Sequence, residues 1–239
     1  MDNNGFDFLK ELQSFAEELK NRYNKDIPDD PLIKETCDKY HAYESAYENS
    51  YGKFKSEVIK NAYRTEYASG AVGLYLSYYS PSYQDLFIGG VKRGRIVKKP
   101  KKVEAEYIFD KDGKIICYKE YLRNKVTREE YFDYKPDKII SVRYDVSFPD
   151  DIYIETIAEY IYDGGRIIHF EYALFKRFQA GCSDAISYMS EDDEYNGDRL
   201  KSTVMTTIES AVNIIHREKY TFYNDDKGKL KYDYEQLIK

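Results

Sequence analysis

Three histidines, His41, His169 and His216, are the only imidazoles in the chain. His169 stands two residues before Glu171. Alternate residues of an extended strand share a face, so this carboxylate could orient the ring for general-base work. Each histidine also sits in an apolar or aromatic stretch of an expected helix or strand, which is the setting of a structural ring. Ser183, Ser187 and Ser190 lie close to Asp184, but no base accompanies them in sequence. Gly-x-Ser-x-Gly, a phosphate-binding glycine loop, His-Glu-x-x-His and Cys-x-x-Cys are all missing from the chain. No metal or cofactor is therefore expected, and the sequence narrows function mainly by exclusion.

Charge offers a second kind of chemistry. Glu191, Asp192, Asp193 and Glu194 form the densest acidic run, with Tyr188 and Tyr195 on either side. The run leads into Asn196 and Gly197, a hairpin signal. It is read as an acidic loop projecting between strands at 185–189 and 199–207. Four carboxylates beside two tyrosines could steer a basic protein partner and supply desolvated anchors once it docks. Lys92, Arg93, Arg95, Lys98, Lys99, Lys101 and Lys102 make the opposite feature, which could touch phosphates or an acidic partner and is read first as a solvated loop or a guarded edge strand. The formal net charge of −6 argues against nucleic acid as the partner.

These residues would have to be positioned by a sheet. Between 103 and 175 the chain reads as strand, turn, strand, six times over: 103–109, 114–121, 126–134, 138–148, 152–162 and 166–175. Turns this short join only adjacent antiparallel strands, so order along the chain should be order across the sheet. Segments 211–223 and 229–234 add a last hairpin. For 203–215, Thr, Val and Ile content favours strand over an equally spaced helix. Ahead of the sheet, Phe6, Leu9, Leu12, Phe15, Leu19 and Tyr23 recur at helical steps, predicting a helix over 6–24. A second helix over about 30–62 should open at Asp30 as N-cap with Pro31 behind it. Its seam of Ile33, Cys37, Tyr40, Tyr47, Tyr51, Phe54 and Val58 either packs on the sheet or forms a coiled-coil arm, with a possible break at Gly52. Loosely alternating strands are also expected at 71–79 and 86–88. The fold class is α+β: N-terminal helices (1–66), a linker or edge segment with the basic run (67–102), and an antiparallel meander (103–239). The helices should cover one face and leave the other wet.

The chain has 239 residues, 42% of them hydrophobic, enough for a full core without metals or disulfides. Its N-terminus lacks the basic start and apolar run of a secretory signal, and no apolar stretch is long enough to span a bilayer. A cytoplasmic protein with no membrane partner is expected. Cys37, Cys117 and Cys182 are far apart and odd in number, and are read as reduced thiols. There are 27 tyrosines and no tryptophan. A half-wet sheet could carry so many, and tyrosine also favours protein interfaces.

Four hairpins share a phrase. Tyr107, Ile108, Phe109 and Asp110 precede Gly113, Lys114 and Ile115; Tyr131, Phe132 and Asp133 precede Asp137, Lys138 and Ile139. Tyr160, Ile161, Tyr162 and Asp163 precede Gly165, Arg166 and Ile167; Tyr220, Thr221 and Phe222 precede Gly228, Lys229 and Leu230. The phrase resembles the tyrosine–aspartate repeats of bacterial polymorphic toxins and the hairpin meanders of toxin-associated proteins, though its spacing is irregular. The resemblance covers about a third of the chain. It implies a sheet scaffold and a toxin–immunity setting, and it carries over no functional residue. The leading expectation is a non-enzymatic binder, most concretely an immunity protein that covers the active site of a toxin. The alternatives are an adaptor module that uses the helical arm, and a hydrolase or nuclease whose residues converge only on folding.

Overall fold

The structure, a computed structural model, describes residues 30–69, 79, 82, 95–98, 102–175, 185–228 and 230–237. The expected helix at 6–24 and the expected strand at 86–88 lie outside them, as does all of 71–79 except Tyr79. Helix α1 spans Pro31–Tyr47 and opens as its sequence dictates: Asp30 is extended at the N-cap, and its Oδ1 accepts from the Leu32 amide at 2.9 Å. Helix α2 spans Tyr51–Asn61. The helical stretch does break, but at residues 48–50 rather than at Gly52, which lies inside α2. The Tyr47 carbonyl turns outward there to accept from the Ser50 amide at 2.9 Å and the Tyr144 hydroxyl at 2.8 Å.

Twelve strands follow among the described residues, all antiparallel in one open sheet: β1 (Arg64–Ser69), β2 (Arg95–Val97), β3 (Ala105–Phe109), β4 (Ile115–Leu122), β5 (Lys125–Tyr134), β6 (Lys138–Asp145), β7 (Tyr153–Asp163), β8 (Arg166–Phe175), β9 (Ile186–Asn196), β10 (Arg199–Glu209), β11 (Ile214–Asn224) and β12 (Leu230–Gln236). From β3 to β12 each strand lies beside its neighbour in sequence, as the short turns require. Arg123 and Asn124, like Gly164 and Gly165, have positive φ at both corner positions, the geometry of two-residue hairpins. Strand β1 is the surprise. It docks outside β3, and β2 docks outside β1, so part of the basic run is the sheet's outer edge.

Register explains the core. Ile108, Cys117, Tyr131, Val142, Ile157, Ala173 and Tyr188 stand opposite one another in turn from β3 to β9, forming one apolar row on one face. The helices lie on this row: Tyr40 and Phe54 are buried in its cluster, with Cys37, Tyr47, Tyr51 and Val58 packed beside them. The seam is thus spent on the sheet and no coiled-coil arm projects from it. The second face is not wet across the middle of the sheet, contrary to expectation. Tyr107, Tyr118, Tyr160 and Phe170 are buried on it, and Tyr79 sets its ring edge-on to Tyr107 with centroids 4.9 Å apart. Aromatic residues at both parities of the strands give both faces something to bury. Cys37 and Cys117 are unbridged; Cys182 lies outside the described residues.

Candidate functional site

The acidic run is not a loop. Strand β9 continues through it to Asn196, and the chain turns at Gly197 and Asp198 into β10. Glu191 and Asp192 pair on both sides, with β8 and β10, and Asp193 and Glu194 pair with β10, and this pairing outweighs the weak strand preference of Asp and Glu. Because side chains alternate along a strand, the run is divided between the two faces of the sheet. Asp192 and Glu194 share the helix-bearing face with Tyr188. Glu191 and Asp193 share the second face with Tyr195. The six residues therefore do not form a single surface.

Each has its own surroundings. Glu191 is 1% exposed and accepts from the Ser82 hydroxyl. Asp193 faces Thr203 across the strand pair, and its Oδ1 is buried without a hydrogen-bond partner. Burial, reinforced by repulsion from Glu191 and Asp192, raises its carboxyl to about 7. Tyr195 donates to the Ile167 carbonyl at 2.9 Å, and the Arg166 guanidinium lies 5.5 Å from its ring centre. Glu194 is exposed and bonded to Lys201 at 2.6 Å and to the Ser202 hydroxyl at 3.0 Å. Asp192 is also exposed, and accepts from His169 Nδ1 at 2.6 Å.

The contact between His169 and Asp192 opens the densest polar cluster on the helix-bearing face. His169 and Glu171 do share a face: His169 Nε2 lies 3.3 Å from Glu171 Oε2. Glu171 also takes the Lys39 ammonium and, at 2.6 Å, the Tyr188 hydroxyl. Glu159, opposite Glu171 on β7, takes Lys39 at 3.1 Å, Lys138 at 2.7 Å and the Tyr43 hydroxyl at 2.6 Å. Burial opposes charge on the imidazole, but its bonds to Asp192 and Glu171 prevail and raise it to about 9. Burial likewise opposes charge on Glu171, yet His169, Lys39 and Tyr188 hold its carboxyl down near 2. At neutral pH both ring nitrogens of His169 are protonated and committed to carboxylates. Such a ring has no lone pair with which to take a proton.

Lys39, Tyr43, Lys138 and Glu159 escaped the sequence analysis because they meet only through register and helix docking. One signal was available. Tyr40, Tyr43, Tyr47 and Tyr51 run down a single side of the helical pair, and carboxylates at alternate strand positions await them. Tyr47 donates to Asp133 at 2.7 Å and Tyr51 to Glu129 at 2.8 Å.

Four cavities lined by described residues have neither His169 nor His216 in their walls. One of about 200 Å³ on the second face is walled by Tyr79, Phe132, Tyr134, Tyr160 and Tyr162 and has no titratable acid or base at neutral pH. His216 is exposed on β11, and His41 meets Glu44 at 3.2 Å on its own helix. Among the described residues no group of three His, Cys, Asp or Glu could hold a metal ion, and no helix is long and apolar enough to cross a membrane. Comparison of the chain with protein-family models, curated proteins and solved structures finds no match.

Proposed function

We propose that the chain is a non-enzymatic protein-binding protein, most concretely an immunity protein that occupies the active site of a basic toxin. The observation that carries this reading is the state of His169. Its Nδ1 meets Asp192 at 2.6 Å and its Nε2 lies 3.3 Å from Glu171, in a cluster that ties α1 to the sheet. Its chemistry is spent on structure, which leaves recognition as the use for the surface. The exposed acids of β9, Asp192 and Glu194, are the steering charges in this proposal. Glu191, Tyr188 and Tyr195 hold the strand in place behind them through Ser82, Glu171 and the Ile167 carbonyl.

The test is to mix the chain with the product of a toxin gene beside its own. A stable complex that abolishes toxin activity is the expected result. Asp192→Asn with Glu194→Gln should slow association about 3- to 10-fold at low salt, and the difference should vanish at high salt. Failure to bind or protect against any neighbouring toxin would remove the immunity reading. Unchanged association of the double variant would remove β9 as the contact.

A further inference from the structure

The two edges of the sheet differ. Edge β2 is three residues long and followed by Lys98, a short basic edge of the kind that deters pairing. Edge β12 has seven residues and pairs with β11 in an unbroken register, from Glu218 opposite Gln236 to Asn224 opposite Leu230. Every residue of β12 is exposed. It has no bulge and no proline, and nothing in its backbone prevents a further strand from adding.

The direction of its free groups follows from one bond. The Leu237 amide donates to the Arg217 carbonyl at 2.9 Å. Antiparallel strands alternate, so Glu235, Asp233 and Lys231 also turn their N–H and C=O toward β11. Those of Leu230, Tyr232, Tyr234 and Gln236 point away from the sheet. The side chains are sorted in the same way. Tyr232 and Tyr234 lie against Tyr220, with ring centroids 5.6 and 5.5 Å away, while Lys231 and Asp233 occupy the opposite face.

We propose that β12 pairs antiparallel with β12 of a second copy of this chain, across a two-fold axis through Tyr232. In that register Tyr232 faces its own copy, Leu230 faces Tyr234, and Lys231 faces Asp233 twice over. The outward N–H and C=O groups of Leu230, Tyr232 and Tyr234 meet one another in about six backbone hydrogen bonds. Charge selects this register. A shift of two residues one way sets Lys231 against Lys231, and a shift the other way sets Asp233 against Asp233. A shift of one sets the outward groups against residues already committed to β11. The aromatic stripe of Tyr220, Tyr232 and Tyr234 then runs unbroken across the axis, and two twelve-stranded sheets become one. The pairing is isologous and closes at two copies. It uses no residue of β9, so it stands or falls separately from the partner reading.

Sedimentation equilibrium on the full chain, from about 1 to 500 µM, tests this. The wild type should reach a dimer. Lys231→Asp alone and Asp233→Lys alone each set like charges opposite one another at two symmetric places. Each should raise the dimer dissociation constant at least about tenfold. Neither position faces a charged residue on β11, so the melting temperature should hold. An equimolar mixture of the two single variants restores opposite charges at every cross-strand pair, and should dimerise like the wild type. A wild type that stays monomeric throughout overturns the proposal. So does either single variant dimerising as tightly as the wild type, and so does a mixture that fails to associate.

Discussion

Asp193 and His169 stand on neighbouring strands with opposite protonation problems, and both bear on how stability changes with pH. The Asp193 carboxyl rises from an ordinary value of 3.8 to about 7. The folded chain therefore holds this proton more tightly than the unfolded one, and stability falls as pH rises from about 4 to 7. His169 rises from 6.5 to about 9, so the stability that its cation contributes is complete below 6.5 and lost as pH climbs through 9. Glu171, held near 2, acts in the other direction, and its contribution disappears as pH falls from 4.5 toward 2. The urea midpoint should then peak near pH 5 and decline to pH 9. Asp193→Asn should flatten the branch between 4 and 7, raise stability at pH 8 by about 1–2 kcal/mol, and leave the branch above 7 in place. If that variant keeps the wild-type slope between 4 and 7, the buried charge is not its source. The pairing of His169 with Glu171 was legible in the sequence, because it needs only strand alternation. Asp192 was not, since it reaches the ring through the register of β8 on β9.

At the scale of elements, a partly exposed ion cluster and a buried ion pair hold the sheet in different ways. Lys39 on α1 bridges Glu159 and Glu171, but each carboxylate keeps another cation when Lys39 is removed: Lys138 for Glu159 and His169 for Glu171. Glu130 on β5 meets Arg143 on β6 at 3.2 Å, and both side chains are 2% exposed. Removing Arg143 leaves a carboxylate in the core. Arg143→Met should cost about 3–5 kcal/mol and Lys39→Met about 1–3 kcal/mol, read from denaturant midpoints. Glu130→Leu added to Arg143→Met should recover much of the first loss, because two apolar side chains of similar volume need no partner. Equal costs for the two single variants would mean that backup cations do not matter here. The sequence placed the start of α1 well, since Asp30 and Pro31 act locally. It misplaced the helix break, which follows from Tyr144 reaching the Tyr47 carbonyl across 97 positions. The acidic strand was misread for a related reason: propensity argues for a loop, while pairing with β10 along the whole run, and with β8 as far as Asp192, decides for a strand.

In the whole molecule, contacts run mainly between neighbours in sequence, so stability need not be uniform across twelve strands. The two helices bear on the strands from β3 to β9 through the cluster that contains Tyr40, Phe54, Tyr131, Val142, Ile157 and Ala173. On the second face a separate cluster joins Tyr160, Phe170, Met189 and Met205 to Tyr220 and Phe222, so β6 to β9 are packed from both sides. Beyond β11 the covering ends, and β12 is exposed along its whole length. The order of the meander was legible because its turns are too short for anything else. That the basic run could be an edge strand was legible too, but its pairing with β1 was not, because that contact spans 26 or more positions and neither strand is strongly patterned. Native-state hydrogen exchange at about 1 µM, where the edge is unpaired, should therefore show a gradient. Amides of Tyr131, Val142, Ile157 and Ala173 should exchange only through global unfolding, and so with the steepest dependence on denaturant. Those of Lys231, Asp233 and Glu235 should exchange through local opening, at least about 100-fold faster and with little denaturant dependence. If β12 exchanges as slowly as β6 and β7, the chain unfolds as one cooperative unit, and the helices stabilise strands they do not touch.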